Sequence, residues 1–352
     1  MGPPGVRFLS RIFYCMKIVR TDKELELPLV DRKLEAKGHE LVLLPEGISE
    51  ELLLEEVRDC DLLLMCYTMI SKKVIEASSN LKAIIKYGVG IDAIDITAAN
   101  NKGVVVVNVP EYAEETVAEG AFAMLLALTK KIPSIHHQMS SYAWAWPTQR
   151  WLGQDVSGKT LGIIGCGKIG SSMARMAGLG FNAKVIGYDP YKSRDELAEK
   201  GIVKVEALNT LLEESDFISL HAVLTNETHH MLGREELAKI KKTAIIINTA
   251  RGALIDEEEL LQALEGVALD VFSDEPLNQE FHPLKKLYTM ENVLLFPHLS
   301  FYTNEAMERL ETETLDRCEE IFENRPVLIK SKDPRLQQQS HLNTVYISDE
   351  RL

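Results

Sequence analysis

The sequence predicts an α/β protein built on two doubly wound parallel sheets, and three observations carry that reading. Short apolar runs alternate with amphipathic stretches from Met16 onward, the pattern of strands that cross to helices and back. One such run, TLGIIGCGKIG from Thr160 to Gly170, turns through three glycines into a helical segment. At 352 residues the chain exceeds what one core usually serves, so two domains are expected, each able to bury a sizeable core.

In order, MKIVR, HELVLLP, DLLLMCY, LKAIIKYGVG and VVVVNVP read as strands of a first sheet, separated by segments such as ELPLVDRKLEAKG, SEELLLEEVRDC, SKKVIEASSN and DITAANNKG. This sheet has no phosphate loop, so it is not the nucleotide domain. A helical stretch from Thr116 to Ser140, read as unbroken, suits a helix joining two domains. The segment YAWAWPTQRW follows it, and Trp144, Trp146 and Trp151 fit a substrate cleft, a dimer contact or simple loop packing. Beyond the glycines, AKVIGYD, DFISLHA, TAIIINT, GVALDV and ENVLLFPH read as strands of the second sheet. A last long helix, TNEAMERLETETLDRCEEIFEN, returns the chain toward the first domain. The polar, glutamine-rich end from Ser331 reads as a mobile tail, and residues 1–15 as an extension before Met16.

Composition narrows the function. A formal charge of −14, balanced by no basic run, argues against nucleic-acid partners, because phosphate contacts dominate such affinity. No apolar run approaches the length of a membrane span. The five cysteines (Cys15, Cys60, Cys66, Cys166, Cys318) are scattered and lack C-x-x-C spacing, so neither a disulfide framework nor a metal site is expected. A reducing cytoplasm fits.

Gly165, Gly167 and Gly170 stand in G-x-G-x-x-G spacing. The first glycine permits a tight turn, the second lets the backbone approach a pyrophosphate, and the third packs helix against strand. Phosphates then meet the N–H groups of a helix N-terminus. Asp189, ending the next strand about 20 residues on, is placed to accept both ribose hydroxyls. Its charge repels a 2′-phosphate and so favours NAD over NADP, although Lys192 and Arg194 follow closely and weaken that preference. Cys166 lies inside the glycine loop at a helix N-terminus, where a thiolate is favoured.

Arg251, Glu275 and His298 each fall just beyond the carboxyl end of an expected strand, where open α/β sheets place their ligand crevice. With a dinucleotide loop upstream, the three make a hydride-transfer set.

The stretches YGVGIDAID, NVPEYAEETVAE, SGKTLGIIGCGKIG, LHAVLTNETHHMLG, INTARGALID, ALDVFSDEP and FPHLSFYT resemble the D-isomer-specific 2-hydroxyacid dehydrogenase family, from about Met16 to Ile329. The pattern from His298 to Ala306 is nearer to the D-lactate dehydrogenase-like and C-terminal-binding-protein-like branches. The resemblance implies a Rossmann NAD domain (113–303) inserted into a flavodoxin-like substrate domain (16–112 and 304–330), with 331–352 as the tail. It implies His298 as the acid/base toward the C2 oxygen of a small 2-hydroxy or 2-oxo acid, with Glu275 bonding the other imidazole nitrogen and Arg251 holding the substrate carboxylate. It further implies carboxylate contacts from the backbone at Val89 and Gly90. For NAD it implies binding by Gly165, Gly167, Lys168, Ile169, Gly170, Asp189 and Thr249, with Asp270 accepting from the nicotinamide edge. A homodimer is implied too.

Two alternatives stay open: an NAD(H)-sensing binding protein of the C-terminal-binding co-repressor type, and a phosphoglycerate dehydrogenase. The sequence departs from the family at Val223, where proline is usual, and between the helix DEEELLQALE and the strand GVALDV, at Glu265 and Gly266, where about five residues usual in the family are absent. Asp256 and Glu259 read as a capping-box pair opening the helix before that short connection.

Overall fold

The computed structural model describes residues 15–260, 266–273, 275, 277 and 283–347. Residues 1–14 of the extension, 261–265 of the short connection and 348–352 of the tail lie outside the described residues. The chain forms two compact units, one comprising Met1–Tyr112 with Asn304–Leu352, the other Ala113–Thr303.

The first unit begins with β1 (Lys17–Arg20), β2 (Glu40–Leu43), β3 (Leu62–Met65), β4 (Ala83–Lys86) and β5 (Val105–Asn108). All pair in parallel, in the order β2-β1-β3-β4-β5, which is the flavodoxin-like arrangement. The strands β3, β4 and β5 are buried at every residue, as strands covered on both faces must be. Side chains set the helix starts. Ser49, Ser71 and Asp95 accept from the N–H groups of Leu52, Val74 and Ala98. The helix Pro28–Ala36 has no cap of its own and takes one from a distance: Glu311 Oε2 accepts from the N–H groups of Leu29 (2.5 Å) and Val30 (3.0 Å).

The second unit carries β6 (Thr160–Ile164), β7 (Lys184–Tyr188), β8 (Val203–Lys204), β9 (Phe217–Leu220), β10 (Ile245–Asn248), β11 (Gly266–Leu269) and β12 (Val293–Leu295). Their order is β12-β11-β10-β9-β6-β7-β8, again all parallel, and it reverses between β6 and β9 as in a Rossmann sheet. Alternate residues serve opposite faces: Ile245 and Ile247 of β10 join one core with Leu161 and Ile163, while Ile246 joins the other with Ile164 and Leu220. The stretch expected as one helix is two, Glu114–Thr129 and Ile132–Tyr142, with Lys131 between them at φ +53°. Pro133 explains the break, since proline lacks the N–H that would continue the ladder yet suits the first turn of a new helix. Asp256 accepts from the N–H groups of Glu258 and Glu259, but the Glu259 carboxylate is held bidentately by Arg234 and so departs from the expected capping box.

The helix Asn304–Phe322 then returns to the first unit and packs along Pro28–Ala36. The mobile tail expected from Ser331 gives way, over 331–347, to ordered structure. Strand β13 (Val327–Ile329) pairs in parallel with β14 (Thr344–Tyr346), and the helix Pro334–Gln337 lies between them in sequence. The fully buried Gln339 explains why this segment is held. Its Oε1 accepts from Val106 N–H at 2.7 Å, and its Nε2 donates to the Val106 carbonyl at 2.8 Å and to that of Leu336 at 3.2 Å. One side chain thus pairs the outward-facing backbone of the edge strand β5. Replacing it by leucine (Gln339→Leu) strands both Val106 groups in a dry site, so stability should fall by about 2 kcal/mol or more, read as a lower urea midpoint at unchanged m-value.

Candidate active site

Five parallel strands end at one level. Ile164, Leu220, Asn248 and Leu269 are register partners across β6, β9, β10 and β11, and Leu295 of β12 stands beside Leu269. The residues just beyond them therefore line the crevice at the carboxyl edge of the sheet.

On the β6 side, Gly165 adopts φ +87°, and a Cβ there would lie 2.6 Å from Ala222 N, so only glycine allows the turn to press on the segment after β9. Gly170 packs its Cα against the Gly165 carbonyl. At Gly167 a Cβ would meet no atom within 4 Å. Gly167 is also the N-cap of the helix Lys168–Arg175, so open space lies beside the N–H groups of Lys168 and Ile169, as a pyrophosphate requires. Lys168 itself pairs with Glu114 at 3.1 Å. Asp189 Oδ2 accepts from Cys166 N–H at 3.0 Å and Oδ1 from Tyr191 N–H at 2.9 Å, which fixes the carboxylate beside the loop. At the end of β10 the buried Thr249 Oγ1 has no hydrogen-bond partner among the described residues, and a bound polar group would satisfy it. The residues at this edge fit a dinucleotide.

Two expectations change here. Cys166 is fully buried, and burial, with the nearby Asp189 charge, pushes its thiol up to about 12, so it is no reactive thiolate despite its position by a helix N-terminus. The exposed Val223 leaves the loop tied without proline, because Thr228 Oγ1 donates to its carbonyl at 2.7 Å and accepts from Thr225 N–H at 2.8 Å. Nearby, His221 is pushed down to about 4 by burial and shares a 2.8 Å hydrogen bond with Ser219.

The three polar residues read from sequence fall at the ends of β10, β11 and β12. Arg251 follows β10 in a turn shaped by Asn248, whose Oδ1 accepts from Ala250 N–H at 3.0 Å and whose Nδ2 donates to the Arg251 carbonyl at 2.8 Å. A Cβ at Gly252 would come within 2.2 Å of Ser273 N, so the arginine turn lies directly on the backbone leading to Glu275. Glu275 Oε1 accepts from Phe272 N–H and Oε2 faces His298 Nδ1, both at 2.9 Å. Burial alone would raise the Glu275 carboxyl, but the hydrogen bond and charge of His298, the Phe272 N–H and the Arg251 charge hold it below its ordinary value.

His298 has a left-handed backbone at φ +56°, uncommon outside glycine although histidine, asparagine and aspartate enter it more readily than other residues. Asp270 holds that turn. Its buried carboxylate accepts from Leu299 N–H at 2.8 Å, Ser300 N–H at 3.2 Å and Ser300 Oγ. Where the sequence suggests a nicotinamide contact, the structure thus aims the Asp270 carboxylate at the histidine turn. Burial raises its pKa, with Ser300 and the His298 charge opposing. Asn248 and Ser300 escaped the sequence reading, although an asparagine closing an all-isoleucine strand was a visible signal.

In the first unit, Val89 and Gly90 follow β4. Gly88 lies at φ +150° and its carbonyl accepts from Val109 N–H at 3.1 Å, while the Val89 carbonyl accepts from the buried Asn108 at 2.6 Å. Among the described residues no group of side chains is arranged to hold a metal ion, and no helix is long and apolar enough to cross a membrane.

A Rossmann sheet with a fitted dinucleotide loop, a histidine–carboxylate pair and an arginine at one edge defines a nicotinamide-dependent dehydrogenase. Residues 122–300 match the model of the D-isomer specific 2-hydroxyacid dehydrogenase NAD binding domain. The glyoxylate reductase of Korarchaeum cryptofilum is 41% identical over 270 residues, 74% of this chain and 80% of that protein. The hydroxypyruvate reductase of Thermotoga maritima is 37% identical over 302 residues, 84% of this chain and 94% of that protein. The D-lactate dehydrogenase of Aquifex aeolicus, solved with NAD and lactic acid, superposes with a TM-score of 0.77 at 32% identity, covering 87% of this chain and 96% of that one. The chain belongs to the D-isomer-specific 2-hydroxyacid dehydrogenase family, and its cofactor is NAD.

The His298–Glu275 pair has a stability signature. Because folding depresses the Glu275 carboxyl below its ordinary value of 4.5, its stabilising contribution is complete above that pH and is lost as pH falls through the depressed value. Glu275→Gln should therefore be less stable than wild type near pH 6, with the gap closing under acid. Urea midpoints measured from pH 6 to pH 3 should converge, and parallel curves would detach Glu275 from a charged pair.

Proposed function

We propose that this chain uses NADH to reduce a small 2-oxo acid such as glyoxylate or hydroxypyruvate, and NAD to oxidise the matching D-2-hydroxy acid, with His298 as acid/base. The observation that carries the reading is the 2.9 Å contact of Glu275 Oε2 with His298 Nδ1. With that nitrogen engaged, proton exchange with the C2 oxygen falls to Nε2, and the carboxylate stabilises the imidazolium that donates during reduction. NAD, when bound, supplies the hydride acceptor or donor.

Arg251 would hold the substrate carboxylate and polarise the C2 oxygen with its planar fork. Gly165, Gly167, Lys168, Ile169 and Gly170 would hold the pyrophosphate, Asp189 the adenosine ribose and Thr249 a polar group farther along the cofactor. Asp270 would serve through the turn it fixes. The names of the two relatives above support a short 2-oxo acid.

We also propose a homodimer in a reducing cytoplasm. The helix Ile132–Tyr142 has no buried residue, and Ile132, Tyr142, Trp144, Trp146 and Leu152 are all exposed, an apolar patch that a second copy would cover. The five unpaired cysteines suit the compartment.

The test keeps the left-handed backbone by using asparagine, which tolerates it. His298→Asn should lower kcat for glyoxylate or hydroxypyruvate reduction by about two to four orders of magnitude, with NADH affinity from fluorescence titration nearly unchanged. Steady-state turnover near wild type would remove His298 from the chemistry, and no turnover by wild type on a panel of 2-oxo acids would sink the substrate class.

A further inference from the structure

Asp189 is followed by two cations of the kind that accept a 2′-phosphate, and each is engaged by an acid. Lys192 Nζ lies 2.9 Å from Glu196 Oε1. Glu196 is itself fixed: its Oε2 accepts from Ser193 N–H at 2.8 Å while Ser193 Oγ accepts from Glu196 N–H at 3.2 Å, a closed capping box. Arg194 Nε donates to Glu206 Oε1 at 2.8 Å. Lys204, in β8, donates to the Lys192 carbonyl at 2.7 Å and stands 3.6 Å from Glu206. Asp189, Glu196 and Glu206 thus balance Lys192, Arg194 and Lys204, and the six together carry no net charge.

An arginine near the ribose acceptor is the usual means of holding a 2′-phosphate, because its fork matches phosphate oxygens. In this chain Arg194 Nε is already bonded to Glu206, two residues beyond β8, so neutralising Asp189 alone leaves the arginine committed to an acid and the phosphate site unmade. We propose that Glu206, acting through Arg194, sets the preference for NAD over NADP together with Asp189. The proposal rests on Asp189 being the ribose acceptor. Glu206 is a positioning residue here, and Glu196 would add to it but for its duty in the capping box.

Fluorescence titration of the purified protein with NADH and NADPH tests this without turnover. Glu206→Gln alone should change NADH affinity far less than NADPH affinity in the Asp189→Asn background, since Glu206 contacts Arg194 and Lys204, which the proposal engages only for a 2′-phosphate. Asp189→Asn, which keeps an acceptor for Cys166 N–H, should weaken NADH and improve NADPH little. The double variant should bind NADPH about fivefold more tightly than Asp189→Asn, the upper end of what an exposed ion pair contributes. That gain should vanish on adding Arg194→Ala, shrink in high salt, and be absent when Glu206→Asp replaces Glu206→Gln. A double variant no better than Asp189→Asn, or a gain that survives loss of Arg194, would overturn the role of Glu206. Unchanged NADH affinity in Asp189→Asn would overturn the ribose assignment and the proposal with it.

Discussion

The geometry of the histidine depends on one buried carboxylate. Asp270 follows β11 directly, its N–H donates to the Asn248 carbonyl at 3.0 Å, and it is therefore as fixed as the sheet itself. From that position it accepts three hydrogen bonds from Leu299 and Ser300 and holds His298 in a backbone conformation that costs of order 1 kcal/mol or more outside glycine. Burial works against the charge of Asp270, so the three donors and the nearby imidazole are what keep an acid tolerable there. The same contacts that satisfy the acid shape the turn, which makes the strain at His298 a property of the sheet rather than of the loop.

This device recurs. Asp189, after β7, accepts from Cys166 in the loop after β6. Asp22, two residues beyond β1 and left-handed at φ +56°, accepts from the N–H groups of Cys66, Tyr67 and Thr68, just after β3. Strands β1 and β3, β6 and β7, and β11 and β12 are neighbours in their sheets. In each case a strand-end aspartate binds the backbone of the loop leaving the adjacent strand. A parallel sheet leaves such loops at one edge with unpaired N–H groups, and a short acceptor in the next strand is the nearest partner.

These facts explain what could be read in the sequence. Strands buried on both faces are apolar runs, so β1, β3, β4, β5, β6, β9 and β10 announced themselves, and glycine spacing marked the phosphate loop. Arg251, Glu275 and His298 stood out because each follows an expected strand end in a chain that also carries a dinucleotide loop. Depth was not legible. Cys166 stands beside a helix N-terminus in the chain, yet its side chain belongs to the core, where desolvation outweighs the helix field. The tail failed for the opposite reason. Glutamine reads as solvent-facing polarity, and composition does not show that one amide, Gln339, matches the donor and acceptor of an edge strand. Pro133 was visible, and its position at a first turn marked two helices rather than one.

The register of β11, directly after the connection expected to be short, is fixed by its neighbours. Gly266 pairs with Ile245, the first residue of β10, and Val267 with Val293, the first of β12, so β11 starts level with its neighbours. Three consecutive register pairs on one side and four on the other then carry the strand to Leu269 without a bulge. A one-residue slip would turn every β11 side chain to the other face, exchanging Ala268 of one core with Val267 and Leu269 of the other. That penalty, incurred in buried apolar contacts on both faces, fixes the register locally and independently of the connection that precedes it. Asp270 then arrives beside Asn248 and the 299–300 turn because the ladder delivers it there. Variation at the amino edge can accordingly change stability while the carboxyl edge, where Arg251, Asp270 and His298 stand, keeps its geometry.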